Sequence, residues 1–185
     1  PNDIYAQNEV KYQNLYEQIK AEFQDRYIST RTGNLSVTSQ TAYLLALKHE
    51  LFPDEAKAKQ AATQLVNKIR QNGNRLSTGF VGTAILNQTL SEIGADTLAY
   101  SLLLQRDDPS WLYSVDQGAT TIWERWNSYT IASGFGDPGM NSFNHYAYGA
   151  VSEWMFRFVA GIETDENKPG FKHIILQPMP DFRKN

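Results

Sequence analysis

Residues 39–74 read SQTAYLLALKHELFPDEAKAKQAATQLVNKIRQNGN, and the fold turns on how that stretch is parsed. Ser39 to Leu47 contains no helix breaker. Ser36 or Thr38 stands ahead of it as an N-cap, a hydroxyl able to accept from a backbone N–H that the first turn leaves unpaired. Phe52-Pro53-Asp54 then interrupts the chain, and proline, with its fixed φ and missing donor, suits a helix start. From about Asp54 to Arg70, Ala58, Ala61, Ala62, Leu65, Val66 and Ile69 recur at steps of three and four and share one side. Asn72-Gly73-Asn74 stops that helix. The segment is a helical hairpin.

The same pattern runs outward in both directions. Upstream, Asn8 to Arg26 carries Val10, Tyr12, Leu15, Tyr16, Ile19 and Phe23, which predicts an amphipathic helix. Downstream, Thr83 to Ile93 predicts a helix with Gly94 as its C-cap, and Asp96 to Gln105 predicts another. Asp107-Asp108-Pro109-Ser110 is a turn, with a short helical turn beginning at Ser110-Trp111. The glycines of Thr78-Gly79-Phe80-Val81-Gly82-Thr83 permit a tight backbone approach. Gly118 to Trp126 is β-branched and reads as extended. Residues 127–141 hold three Gly, two Ser and one Pro, a long loop of the kind that often carries function. A last helix is expected from Ser142 to about Val159, with Gly161 near its end. Helical hairpins at a spacing of about 30 to 45 residues predict an all-α toroid or solenoid of stacked helix pairs. Gly170 to Gln177 departs from this, reading as a β-strand stopped by Pro178. A lone strand is unstable, so its partner is expected beyond Asn185, in another chain, or in an absent earlier segment.

Composition narrows the function classes. The chain has 185 residues with 41% hydrophobic residues and a net charge of −3, enough for one core or for part of a larger one. No basic stripe points to nucleic acid, and no apolar run approaches the roughly 20 residues of a membrane span. Without cysteine, disulfides and thiolate metal sites are excluded. The chain starts at Pro1 with neither an initiator Met nor a signal-peptide pattern, and so reads as processed, trimmed or excised.

The chemistry concentrates in Trp123-Glu124-Arg125-Trp126. Indole faces stack on the C–H faces of sugars, and a carboxylate beside them can act as a general base on water. In an extended chain Glu124 shares a face with Ile122 and Trp126. The alternative reading is an ion pair of Glu124 with Arg125 or another cation, framed by packing Trp side chains. Asp116 either joins this site or caps the turn at Gly118. Asn144-His145-Tyr146 supplies hydrogen-bonding groups, with His145 either a donor to a sugar hydroxyl or a structural donor. Trp111, after a Pro-Ser turn, suits a pocket rim, whereas Trp154 reads as core. No His/carboxylate spacing implies a metal, no phosphate loop implies a nucleotide, and no nucleophile elbow supports Ser–His–Asp catalysis. No cofactor is expected.

These strings in order (Thr78 to Thr83, Pro109-Ser110-Trp111, Val115 to Trp126 and Met140 to Ala147) resemble the bacterial α-L-rhamnosidases of glycoside hydrolase family 78. The similarity runs from about Gly33 to Pro180. It implies an (α/α)6 barrel that binds L-rhamnose and hydrolyses its glycosides with inversion. On that resemblance Glu124 matches the general base and His145 a rhamnose hydrogen-bonding residue. Trp123, Trp126, Asp116 and Asn144 are further substrate-binding candidates. The family's general acid lies in an acidic motif upstream of everything present here. The chain is therefore expected to be the second half of the barrel over residues 1–162, followed over residues 163–185 by the start of a C-terminal β-domain. Alone it is expected to be inactive, with its half-barrel faces open to self-association. The partner implied is a rhamnose-containing glycan or glycoside. Two other readings of the residues remain: a different α/α-toroid glycosidase or epimerase, and a non-catalytic sugar-binding helical module.

Overall fold

The computed structural model describes residues 4–181; the last four residues of the expected C-terminal segment lie outside it. The chain is mostly helical. In order come α1 (Ile4–Tyr27), α2 (Gln40–Lys48), α3 (Glu55–Gln71), α4 (Phe80–Glu92), α5 (Asp96–Leu103) and α6 (Trp111–Asp116). The predicted hairpin is present, with α2 packed on α3, while α4 packs on α2 and α5. Asp54 caps α3 by accepting from the Lys57 N–H at 2.8 Å, and Ser110 caps α6 through Tyr113 at 3.1 Å. The cap of α2 is Ser39, not Ser36 or Thr38: its Oγ accepts from the Ala42 N–H at 3.1 Å. The cap is the residue directly before the first helical one, accepting from an N–H two or three positions on; the helix begins at Gln40, so Ser36 and Thr38 stand too far upstream.

Four helices end in one way. For α4, Gly94 N–H reaches the Ser91 carbonyl and Ala95 N–H the Leu90 carbonyl, the paired bonds of a Schellman motif. The same pairing closes α2, α3 and α6. The residue after each C-cap is left-handed, at φ 51° for Glu50, 69° for Gly73, 75° for Gly94 and 95° for Gly118. Three of the four are glycine, which holds that conformation without a Cβ clash.

Helix α4 starts at Phe80, three residues before the predicted Thr83. This places Gly82 inside the first turn, where an added Cβ would lie 2.5 Å from Thr41 Oγ1 of α2. The expected close approach is therefore real at Gly82. Gly79 has nothing near it and serves as the N-cap position. Along α1 only Tyr16 and Phe23 of the six predicted apolar positions pack on the core; Val10, Tyr12, Leu15 and Ile19 are exposed.

The second half of the chain is less regular than the sequence predicts. Residues 118–128 are bends and turns rather than a strand, and residues 127–141 include a small antiparallel hairpin, β1 (Tyr129–Thr130) with β2 (Gly134–Phe135). The last helix does not begin at Ser142. It opens as a 3-10 turn at Ala147–Ala150, becomes α7 (Val151–Trp154), and widens to a π turn at Met155–Val159. Residues 142–145 are held away from helix because their backbone groups bond elsewhere: Glu124 N–H donates to the Ser142 carbonyl at 2.9 Å and His145 N–H to the Ile122 carbonyl at 2.8 Å.

The C-terminal strand is not alone. Strand β4 (Ile174–Leu176) pairs antiparallel with β3 (Ile162–Thr164), in the register Ile162↔Leu176, Glu163↔Ile175, Thr164↔Ile174. The sequence reading missed β3 because three residues are too few to show a period of two. Gly161 leads into it at φ 65°, and a Cβ there would lie 2.0 Å from the Gln177 carbonyl carbon. Gln177 N–H closes on the Gly161 carbonyl at 2.8 Å, and Met179 N–H on that of Phe158 at 3.1 Å.

Three outcomes follow from this backbone. Glu50→Gly relieves a left-handed side chain and is expected to raise stability by about 0.5–1 kcal/mol, read as a higher denaturant midpoint at unchanged slope. Gly161→Ala cannot be accommodated without moving residue 177; it is expected to cost about 2 kcal/mol and to lower amide protection across β3 and β4 first. The third outcome concerns pH. Hydrogen bonds from Arg157 and the Thr164 N–H hold the Glu163 carboxyl below the usual carboxylate range, and those from His173 and the Asn167 N–H do the same for Asp165. Both groups release their protons more readily folded than unfolded. Their stabilisation is complete above the ordinary carboxylate range and is lost as pH falls through the depressed values. Amide protection in β3–β4 should therefore fall below about pH 4 while that of α4 persists; equal protection in both at about pH 3 would contradict this.

Candidate active site

Two segments that are irregular in backbone form the site. Residues 122–126 and 142–146 run beside each other, joined by the two backbone bonds described above. A third bond fixes the carboxylate itself: Glu124 Oε2 accepts from the Ser142 N–H at 2.9 Å. Among the described ion pairs none includes Glu124 or Arg125, so the Glu124–Arg125 pair weighed from the sequence does not form. Glu124 is half-buried and Arg125 exposed.

A cavity of about 470 Å³ opens here, lined by Gly79, Phe80, Glu124, Arg125, Asp137, Gly139, Met140 and Tyr148. That volume falls within the roughly 300–1,000 Å³ of small-ligand sites. Hollows of about 580 Å³ along α1 and about 620 Å³ against α3 also exist. The first runs along one exposed helix face. In both, acidic groups are tied to neighbouring cations, Glu22 to Arg26 and Glu55 to Lys59. The Glu124 cavity combines an apolar wall with a carboxylate that forms no ion pair among the described residues, a group able to accept a proton from water.

The aromatic residues around it are layered. Trp126 stacks on Tyr148 with centroids 3.9 Å apart and meets Trp111 edge-on at 5.3 Å. Tyr148 meets Phe80 at 5.2 Å, and Phe80 stacks on His145 at 4.8 Å. Burial pushes the Tyr148 phenol up, so it stays protonated at neutral pH. Trp123 is buried edge-on against Phe143 at 5.2 Å. Trp111 is core rather than rim: it is buried, and its Nε1–H donates to the Tyr148 carbonyl at 2.8 Å. Trp154 is core as predicted, 1% exposed and bonded through Nε1–H to Ser91 Oγ at 2.8 Å.

Among the predicted site residues, the structure brings Glu124 to the cavity and places His145 and Trp126 one ring behind its wall. Asn144 is exposed, with its backbone N–H on Ser142 Oγ at 3.2 Å. Asp116 ends α6, is paired with Arg106, and does not line the cavity. The turn at Gly118 is closed by backbone bonds instead. Sequence reasoning did not name Phe80, Asp137, Met140 or Tyr148 as site residues. Phe80 sat between the two glycines already singled out, but Asp137 and Met140 lie in the long loop and carry no spacing signal. Asp137 Oδ1 accepts from the Gly139 N–H at 2.8 Å. Among the described residues no group of three or more His, Asp or Glu side chains is placed to hold a metal, and no helix is long and apolar enough to cross a membrane.

Residues 5–159 match the family described as the bacterial alpha-L-rhamnosidase 6 hairpin glycosidase domain, and the chain belongs to that family. Its helices are thus part of a six-hairpin α/α barrel. An alpha-L-rhamnosidase of Formosa agariphila is 43% identical over 94% of this chain and 18% of its own length. One from Alteromonas sp. is 42% identical over 96% of this chain and 19% of its own. Among solved structures, the Streptomyces avermitilis alpha-L-rhamnosidase complexed with L-rhamnose superposes at a TM-score of 0.83 with 42% identity, covering 92% of this chain and 16% of that one. The native enzyme of Aspergillus terreus superposes at 0.88 with 38% identity, covering 95% and 20%. The chain thus spans no more than a fifth of the length of these relatives.

Proposed function

We propose that the protein to which this chain contributes is an inverting α-L-rhamnosidase, hydrolysing terminal α-L-rhamnosyl bonds of glycosides or polysaccharides, with Glu124 as its general base. The observation that carries this reading is the state of that carboxylate. Oε2 is anchored by a backbone N–H, while Oε1 has no hydrogen-bond partner among the described residues. One oxygen thus orients the group and the other is free to accept a proton from water. Family membership and the apolar wall of Phe80 and Tyr148 support the sugar as the ligand.

In the mechanism we assign, Glu124 takes a proton from a water molecule as that water's oxygen attacks the anomeric carbon. The bond to the leaving oxygen breaks, and a second carboxyl group delivers a proton to that oxygen. The product sugar is released with inverted configuration. Such an acid must stand about 6.5–9.5 Å from the base, and we place it on a segment outside these 185 residues. His145 and Asn144 are assigned to sugar hydroxyls, Trp123 and Trp126 to shaping the pocket, and Asp116 to its periphery. We place the boundary of the helical catalytic part near residue 162, where β3 begins, with residues 163–185 opening a β-domain. The exposed face of α1 is the surface we assign to self-association, which sedimentation across a concentration series would detect.

The test is nitrophenol release from an aryl α-L-rhamnoside by the full-length protein. Glu124→Gln is expected to lower kcat by about 10²–10⁴-fold with little change in KM. Asp137→Asn, which alters a carboxylate already bonded to its own loop, is expected to lower it far less. Equal losses would move the acid into this chain. Undiminished turnover in Glu124→Gln would remove the base assignment. The first-formed anomer, read by proton NMR, should be inverted relative to the substrate.

A further inference from the structure

We infer that Phe80 and Tyr146 are positioning residues that, with the Ala147 N–H, clamp His145 as a single tautomer carrying its proton on Nε2. The imidazole stacks on two rings. Phe80 stacks on it at 4.8 Å and 22°, and Tyr146 at 5.2 Å and 9°. These stacks set the plane of the ring. The Ala147 N–H donates to His145 Nδ1 at 3.3 Å, which sets which edge faces the backbone. A backbone N–H can only donate, so Nδ1 must be the bare nitrogen and Nε2 must carry the hydrogen. Among the described residues no protein group accepts from Nε2, so that N–H remains available to a ligand.

Tyr146 strengthens the case because core packing does not explain it. It is 88% exposed, yet its ring lies nearly parallel to His145. Phe80 connects the clamp to the cavity, since it lines that cavity and also stacks on the imidazole. The chain contains its own contrast. His173 Nδ1 faces the Asp165 carboxylate at 2.9 Å, and a carboxylate requires a hydrogen on that nitrogen. Two histidines in one chain are thus held in opposite tautomers by their Nδ1 partners, one a donor and one an acceptor. The clamp stands on this geometry alone. Its use, donation from Nε2 to a sugar hydroxyl, rests on the rhamnosidase reading.

The experiment is long-range ¹H–¹⁵N NMR of the full chain labelled at histidine, at a pH alkaline enough to keep the rings neutral. The three histidines are assigned with His49→Gln and His173→Gln. The expected spectrum shows His145 with the Nε2–H pattern and His173 with the Nδ1–H pattern. Phe80→Leu and Tyr146→Leu should each move the His145 nitrogens toward the averaged shifts of exchanging tautomers. Phe80→Tyr and Tyr146→Phe should restore the wild-type shifts, with His173 unmoved throughout. Phe80 also packs against Tyr148, so Tyr146→Leu at the exposed ring is the decisive variant if Phe80→Leu does not fold. An Nδ1–H pattern at His145, or shifts unmoved by Tyr146→Leu, overturns the clamp. In the full-length protein the two leucine variants should lower kcat/KM on the aryl rhamnoside. Absence of rhamnoside turnover in the wild type would end the functional reading while leaving the spectra to judge the clamp.

Discussion

Helix α4 is buried on nearly every side, and the rest of the chain is arranged to make that tolerable. A helix of Leu alone in such a position would need only packing. This one also carries Thr83, Asn87, Gln88, Thr89 and Ser91 inside; buried polar groups cost free energy unless they are bonded, and here Asn87 Oδ1 and Thr89 Oγ1 stay unbonded while three other groups are satisfied. Asn87 donates to the Ala99 carbonyl of α5, Ser91 accepts from Trp154 of α7, and Thr83 shares a bond with Thr78. Each bond joins α4 to a different part of the chain. On a fourth side Gly82 lets α2 approach closely at Thr41. The first residue of the helix held in this way is Phe80, so the cavity wall is positioned from the most constrained element of the chain.

From that element a line of rings leads to the surface. Trp111, Trp126, Tyr148, Phe80, His145 and Tyr146 each touch the next, running from buried indole to exposed phenol. Stacked aromatics resist displacement because each ring's position restricts its neighbours' rotamers. Glu124 is held by a different device, three hydrogen bonds between segments 122–124 and 142–145. Glu124 is thus set by backbone geometry and the wall by side-chain packing.

The helices of the first half were legible in the sequence because their signals are local. Asp54, Ser110, Gly73 and Gly94 mark ends through bonds to residues three or four positions away. Glu50 was not legible, because a left-handed glutamate is stabilised by the closing bonds of α2 and not by its own preference. Glu124, His145 and the two indoles stood out as candidates by residue type and by resemblance. Their surroundings were not legible. The extended stretch read over residues 118–126 and the helix read from Ser142 both gave way to pairing between segments distant in sequence. Asp137 and Met140 reach the cavity by the path of a loop, which no periodicity reports. Strand β3 was invisible for the same reason: three residues become a strand only when Ile174–Leu176 returns to them.

The bonds between Glu124 and Ser142 close a loop whose ends lie 18 residues apart. Between them Trp126 and Ser128 still pack against the body of the chain, whereas the stretch that carries Asp137 and Met140 at the cavity rim is an excursion that returns to the same anchored pair. Closing such a loop depends only weakly on its length; doubling the span adds about 0.6 kcal/mol. Glu124 and His145 therefore form a fixed baseline, while the rim can change in length and composition with little effect on their spacing. The rim of the cavity is thus mechanically separate from the paired segments that hold Glu124, and it can change without moving that carboxylate.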